Sequence, residues 1–92
     1  MKSRADHNQD EIVEGLKKLG CSVVKLTMVG GGCPDLLIGA HGRDYLIEIK
    51  AGGNRLNNDQ KRFHALWRGQ IAIAHDLSEA IKIIYPQPGK LV

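Results

Sequence analysis

At 92 residues the chain has room for one domain, since independent domains run from about 50 to 250 residues. A hydrophobic fraction of 42% beside 25% charged residues is a globular balance that excludes collagen-like and disordered chains. No apolar run approaches the roughly 20 residues needed to span a bilayer. The opening MKSRADHNQDE holds no apolar signal core, so a cytoplasmic location is expected, that of the host if the protein is viral. A chain of this size buries about 64% of its extended surface, so an exposed apolar face would favour a homo-oligomer. The net charge of +3 permits nucleic-acid binding without specifying it. Cys21 and Cys33 fit neither a CxxC knuckle nor a disulfide scaffold and are expected as reduced thiols.

From Gln9 to Leu19 the residues Ile12, Val13, Leu16 and Leu19 recur at helical spacing, and Gly20 is a C-cap candidate. Cys21 to Thr27, CSVVKLT, has the β-branched content of a strand and runs into the triplet Gly30, Gly31, Gly32. Asp35 to Ala40 and Asp44 to Lys50 read as two strands of an antiparallel hairpin turning at His41, Gly42 and Arg43. AGGNRLNN is a loop. Asn57 and Gln60 then stand at N-cap and N3 of a helix over 58–68, whose apolar payload is Phe63, Leu66 and Trp67 and whose stop is Gly69. QIAIA at 70–74 is a short buried strand. Asp76 and Glu79 offer a second capping box for a helix carrying Leu77, Ala80, Ile81 and Ile84, and the proline-punctuated tail YPQPGKLV is expected on the surface or against a partner. The order αβββαβα predicts an α/β or α+β fold, a small mixed sheet with helices against it and covered on both faces.

Asp35 opens one hydrophobic strand, and Glu48 and Lys50 sit two apart in another, LIEIK. Strand alternation puts Glu48 and Lys50 on one face with Leu46, and Ile47 and Ile49 on the other. A hairpin can bring Asp35 opposite Glu48, and two carboxylates at roughly 5 Å repel unless a cation joins them. Mg²⁺ is bound through one or two such carboxylates while keeping several waters. Phosphodiester hydrolysis uses such an ion to polarise the phosphate and acidify a water, and a nearby ammonium to offset growing charge. Asp35 and Glu48 would be ligands, with the Ile49 carbonyl a further one. Lys50 would either orient and deprotonate the water or stabilise the phosphorane. The alternative is a solvated Glu–Lys pair guarding an edge strand.

The segments GGCPDLLIG and YLIEIKAGGNRLNNDQ, with Leu66 to Gly69, resemble the virus-type replication-repair nuclease (VRR-NUC) domain of the PD-(D/E)XK superfamily. That family's pattern of G-x-PD, E-x-K and L-x-x-x-Q corresponds here to Gly32, Pro34, Asp35, Glu48, Lys50, Leu56 and Gln60, and the likeness covers most of the chain. The resemblance implies a restriction-endonuclease-like core and a nuclease dependent on Mg²⁺ or Mn²⁺. Small members are similar to Holliday junction resolvases and form homodimers acting on branched or flap DNA. It also implies an acidic residue on the first helix. Gln9 stands near that position and faces the sheet with Val13 and Leu16, so Asp6 one turn earlier, or Glu11 after a slip in alignment, is the alternative. Gln60 is expected to cap its helix, to approach Lys50 or the phosphate, or both.

Between positions 43 and 68 six basic residues face three acids, which suits a DNA backbone path with Arg55, Lys61 and Arg62 as contacts, or merely a solvated helix face. Gly31 and Gly32 would let a phosphate approach closely, although no GxxxxGK motif is present. His7, His41, His64 and His75 lack ligand spacing and are expected to be satisfied or exposed, with His64 a candidate phosphate contact. Phe63 and Trp67, at i and i+4, are expected in the core or a subunit interface, with a base-stacking platform as the minor alternative. Apolar Ile83, Ile84 and Tyr85 favour dimerisation. Besides a nuclease, the residues admit a noncatalytic DNA-binding protein on the same fold or an interaction domain.

Overall fold

The computed structural model describes residues 4–86. They form α1 (Arg4–Lys18), β1 (Ser22–Lys25), β2 (Leu36–Ala40), β3 (Arg43–Ile49), α2 (Asn58–Leu66), β4 (Ile71–Ala74) and α3 (Leu77–Ile84). The order αβββαβα is the one the patterning predicts, and the fold is an α/β mixed sheet flanked by helices.

Local chemistry sets the boundaries. Gly20 takes φ 88°, and the amides of Gly20 and Cys21 return to the carbonyls of Lys17 and Leu16, a Schellman stop for α1. That turn carries Leu19 off the helical stripe, so it is exposed rather than packed with Ile12, Val13 and Leu16. β1 is correspondingly shorter than the β-branched run, and Cys21 is drawn into the core. The hairpin closes on two residues: His41 and Gly42 both have positive φ and Arg43 already pairs with Ala40, a type I′ turn matching strand twist. Asp76 Oδ1 accepts from Glu79 N at the start of α3, but the Glu79 carboxylate turns to His75 N and Nδ1, so the second capping box is not reciprocal.

The sheet order is β1-β2-β3-β4, antiparallel except for the parallel pair β3 and β4, which α2 connects. One face is packed. Leu36, Ile38, Ile47 and Ala74 meet Ile12 and Leu16 of α1 and Ala80 and Ile84 of α3, all fully buried. Each large aliphatic side chain there contributes about 1.5–3 kcal/mol over leaving it in water. Ile84 belongs to this core because Ala80 and Ile84 face the sheet one turn apart, so it is not available to a subunit interface.

The sheet is not covered on both faces. Ile73 and Val24 on the second face are exposed, since α1 and α3 both lie on the first. Helix α2 departs furthest from expectation, ending at Leu66 with Trp67 already extended and no residue buried. Leu66 is 71% and Trp67 46% exposed, so this helix does not deliver an apolar payload to the core. Most of the proline-punctuated tail lies outside the described residues.

Candidate active site

Leu36 pairs with Ile47 across β2 and β3, and both point into the core. The next opposed residues, Asp35 and Glu48, therefore share the other face. Asp35 Oδ2 accepts the Ile49 amide at 2.8 Å, which anchors this carboxylate across the hairpin. The N–H and C=O of a strand residue leave on the same side, so the Ile49 carbonyl also faces the Asp35 edge.

Glu48 is only 3% exposed. Its Oε2 lies 3.7 Å from Lys50 Nζ and accepts from Gln60 Nε2 at 3.3 Å. Its Oε1 is buried without a hydrogen-bond partner among the described residues. Burial first and the neighbouring Asp35 charge second raise the Glu48 carboxyl to about 7, against the opposite pull of Lys50. One ammonium thus leaves the pair of carboxylates under-compensated.

That donor set suits a hard divalent cation. Two opposed carboxylates and one orphaned oxygen supply anionic oxygen ligands, and an Mg²⁺-like ion completes its shell with water and substrate oxygens. Among the described residues no group of three or more His, Cys, Asp and Glu side chains converges as a metal cage. The carboxylates at hand are therefore Asp35, directly before β2, and Glu48 of β3.

The first helix contributes at one edge. Glu11, with His7, Asn8 and His75, lines a cleft of about 280 Å³ that opens on Ala51 and Gly52, directly after Lys50. Gln9 and Asp6 do not line it. Glu11 lies off the buried stripe of α1, and this is why it reaches the ends of the strands rather than their face.

A solved structure described as a "VRR_NUC domain" superposes on this chain with a TM-score of 0.77 at 24% identity, covering 92% of this chain and 98% of that one. The chain has the fold of a VRR_NUC domain. No family model and no curated protein matches it.

Within this VRR_NUC fold, α2 is held by its N-terminus. Asn57 Oδ1 accepts from Gln60 N, and Gln60 Oε1 accepts from Asn57 N, each at 2.9 Å. The capping role and the approach to the site hold together, because Gln60 Nε2 is the group that reaches Glu48. Gly32 supplies the second anchor: at φ 82° a Cβ there would collide with the backbone carbonyl of Asp59. Gly32 therefore serves the seating of α2, whereas its neighbour Gly31 lines an open cleft with Arg62. Arg55 and Lys61 are exposed on the loop and helix beside it.

The histidines divide by environment. His41 Nε2 meets Ile84 O at 2.8 Å and Tyr45 OH at 3.0 Å, and His75 Nδ1 meets Glu79 Oε1 at 2.7 Å. His64 Nε2 is buried and unpartnered among the described residues, and burial holds the imidazole below its usual range. Lowering the imidazole in this way disfavours the cation that a phosphate contact would use. Both cysteines are free, and burial together with Glu48 and Asp35 pushes the Cys33 thiol up, so it stays protonated.

Composition and spacing missed His75 and its neighbours. Asn8 Nδ2 donates to His75 O at 2.8 Å, tying α1 to the end of β4. The signal was available in the β3-α2-β4 order: a helical crossover implies parallel strands, and parallel strands end side by side, bringing His75 to the level of Lys50.

Proposed function

We propose that residues 1–92 form one nuclease domain of the VRR-NUC family, a divalent-metal-dependent DNA endonuclease that prefers branched or flap DNA. The observation that carries this reading is the buried Glu48 carboxylate with its orphaned Oε1, opposite Asp35 and two residues from Lys50. Asp35, Glu48 and the Ile49 carbonyl would hold Mg²⁺ or Mn²⁺, which when bound supplies Lewis acidity to the scissile phosphate. Asp35 is oriented by the Ile49 amide and Glu48 by Gln60, so both carboxylates arrive with little freedom left to lose. Lys50 keeps an ammonium 3.7 Å from Glu48, where it orients water and offsets charge developing on nonbridging oxygens. Gln60 is a positioning residue. Gly31, Arg55, Lys61 and Arg62 would follow the backbone of the DNA, and Glu11, which lines the cleft opening on Ala51 and Gly52, would serve as the helix-one acid.

Among the described residues no element reads as a base-reading helix-turn-helix, which supports selection by DNA shape. A homodimer, presenting two such sites to opposite strands, suits a four-way junction. Sedimentation at micromolar concentration tests it, and a stable 10.1 kDa species removes it.

The test of the activity is incubation with supercoiled, duplex, flap and four-way DNA in Mg²⁺ or Mn²⁺, alongside Asp35→Ala and Lys50→Ala. Cleavage by the parent chain and its loss in folded variants is the expected result. Cleavage that survives both substitutions places the chemistry elsewhere. The lack of a three-carboxylate group among the described residues favours a second reading, a noncatalytic DNA-binding protein on the same fold. Salt-sensitive binding to branched DNA with no cleavage in either metal selects it.

A further inference from the structure

Among the described residues, nothing packs over the exposed apolar side chains at the C-terminal end of α2. Phe63 and Trp67 stack with ring centroids 5.5 Å apart and an interplanar angle of 15°, and Leu66 beside them is 71% exposed. Burying that face would ordinarily stabilise such a helix. Here the cap at Asn57, the seat at Gly32 and the bond from Gln60 to Glu48 hold it instead, leaving the aromatic pair free for another use.

Between this face and the glycine loop lies a cleft of about 440 Å³, lined by Gly31, Asp59, Arg62, Phe63, Leu66 and Trp67. Resting on the nuclease reading above, we propose that it is a subsite for one unpaired DNA base, seated on the Phe63–Trp67 stack with its phosphate toward Arg62. The lining decides between occupants. A purely apolar partner has no use for a guanidinium inside the cleft, whereas a nucleotide brings an aromatic face and an anion together. Asp59, on the same lining, repels a phosphate beside it and accepts from an exocyclic base amine, leaving Arg62 the phosphate side.

The cleft lies next to the candidate active site along the chain, Asp59 on its lining directly preceding Gln60. Gln60 contacts Glu48, and Phe63 follows on the same helix about 4.5 Å further along its axis, with Trp67 at its C-cap. Gly31 lies four residues before Asp35. A base held here is therefore a few nucleotides from the phosphate at Glu48. A base inside a duplex is stacked and cannot enter without being extruded, so the subsite rewards strands that are already unpaired, which is the distinguishing feature of flaps and branches.

Trp67 is the sole tryptophan, so its emission reports this cleft. The experiment uses the full chain in EDTA, where no cleavage occurs, with three probes of about ten nucleotides. These are a mixed-sequence single strand, an abasic backbone of the same length and charge, and a fully paired duplex. The single strand is expected to quench Trp67 and to bind at least about tenfold more tightly than the abasic strand. With labelled DNA and anisotropy as the readout, Trp67→Phe is expected to keep that preference and Trp67→Ala to lose it while melting like the parent. Equal affinity for base-bearing and abasic strands overturns the proposal. So does Trp67 emission that changes with protein concentration alone and a dimer that Trp67→Ala dissociates, since the occupant is then a second copy. The two readings fail separately: base-dependent binding without metal-dependent cleavage removes only the nuclease, and cleavage without base-dependent binding removes only the subsite.

Discussion

Gln60 holds Glu48 with one end of its side-chain amide and the start of α2 with the other: Nε2 lies 3.3 Å from Glu48 Oε2 while Oε1 takes the Asn57 amide at 2.9 Å. The helix cap and the site carboxylate are thus one mechanical unit. Gln60→Ala removes both bonds and is expected to cost about 1–2 kcal/mol of stability by urea titration, together with at least tenfold in cleavage rate. Gln60→Glu keeps the acceptor for Asn57 but sets a third carboxylate against Glu48. Circular dichroism should retain α2 in that variant, while its stability without metal falls as the pH is raised. Unchanged stability in both variants would separate the cap from the site.

Glu48 carries a pH signature. Its carboxyl sits at about 7 in the folded chain against an ordinary 4.5, raised by burial and then by Asp35. Between those values the folded state holds a proton that the unfolded state has released, so stability is fully present below 4.5 and is lost as pH rises through about 7. In EDTA the loss should be about 1–3 kcal/mol across that window. Glu48→Gln should flatten the difference, and Mg²⁺ should restore stability most on the alkaline side, where the carboxylate is ionised. Urea midpoints as a function of pH test this, and an identical slope in Glu48→Gln rules Glu48 out as its source.

Gly32 and Gly30 both have positive φ, 82° and 76°, yet only Gly32 abuts backbone. Gly30→Ala should cost about 1–2 kcal/mol, the left-handed penalty alone. Gly32→Ala should cost about 3 kcal/mol or more, because Asp59 is main chain and cannot swing away. It should also release Gln60 from Glu48, so the cleavage rate falls with the melting temperature. Equal melting shifts for the two variants would show that the α2 seat is soft.

Large apolar residues should sort by face rather than by size. Ile47, fully buried at the centre of the sheet, should lose about 2–5 kcal/mol as Ala. Leu66→Ala should stay within about 0.5 kcal/mol, since that side chain stands mostly in water. Paired denaturation curves check the contrast, and a Leu66→Ala cost near that of Ile47→Ala would mean that α2 is packed.

The legible parts were those written in short-range chemistry. The capping pair Asn57 and Gln60 was readable because an N-cap and its N3 partner lie three residues apart in any helix. The two-residue turn at His41 and Gly42 was nearly so, with Arg43 the single misplaced residue. Asp35 opposite Glu48 also followed from the hairpin, since antiparallel pairing conserves the sum of paired residue numbers. The expectations of core burial at Leu66, Trp67 and Ile73 failed for one cause: periodicity says which residues lie on one side of an element and is silent on whether anything is packed there.

Alternation of polar and apolar residues along β3 was sufficient to put Glu48 and Lys50 on the face opposite Ile47 and Ile49, because a strand's period is a property of the backbone. The αβββαβα order followed in the same way, each segment carrying its own period and punctuation. What folding alone decided is which side of each element meets another: that Glu48 is nearly dry, that its Oε1 lacks a partner among the described residues, that Glu11 lines a cleft at the strand ends, and that among those residues Leu66 and Trp67 at the end of α2 stay exposed. Those outcomes depend on contacts between residues far apart in the chain, for which one sequence carries no local signal.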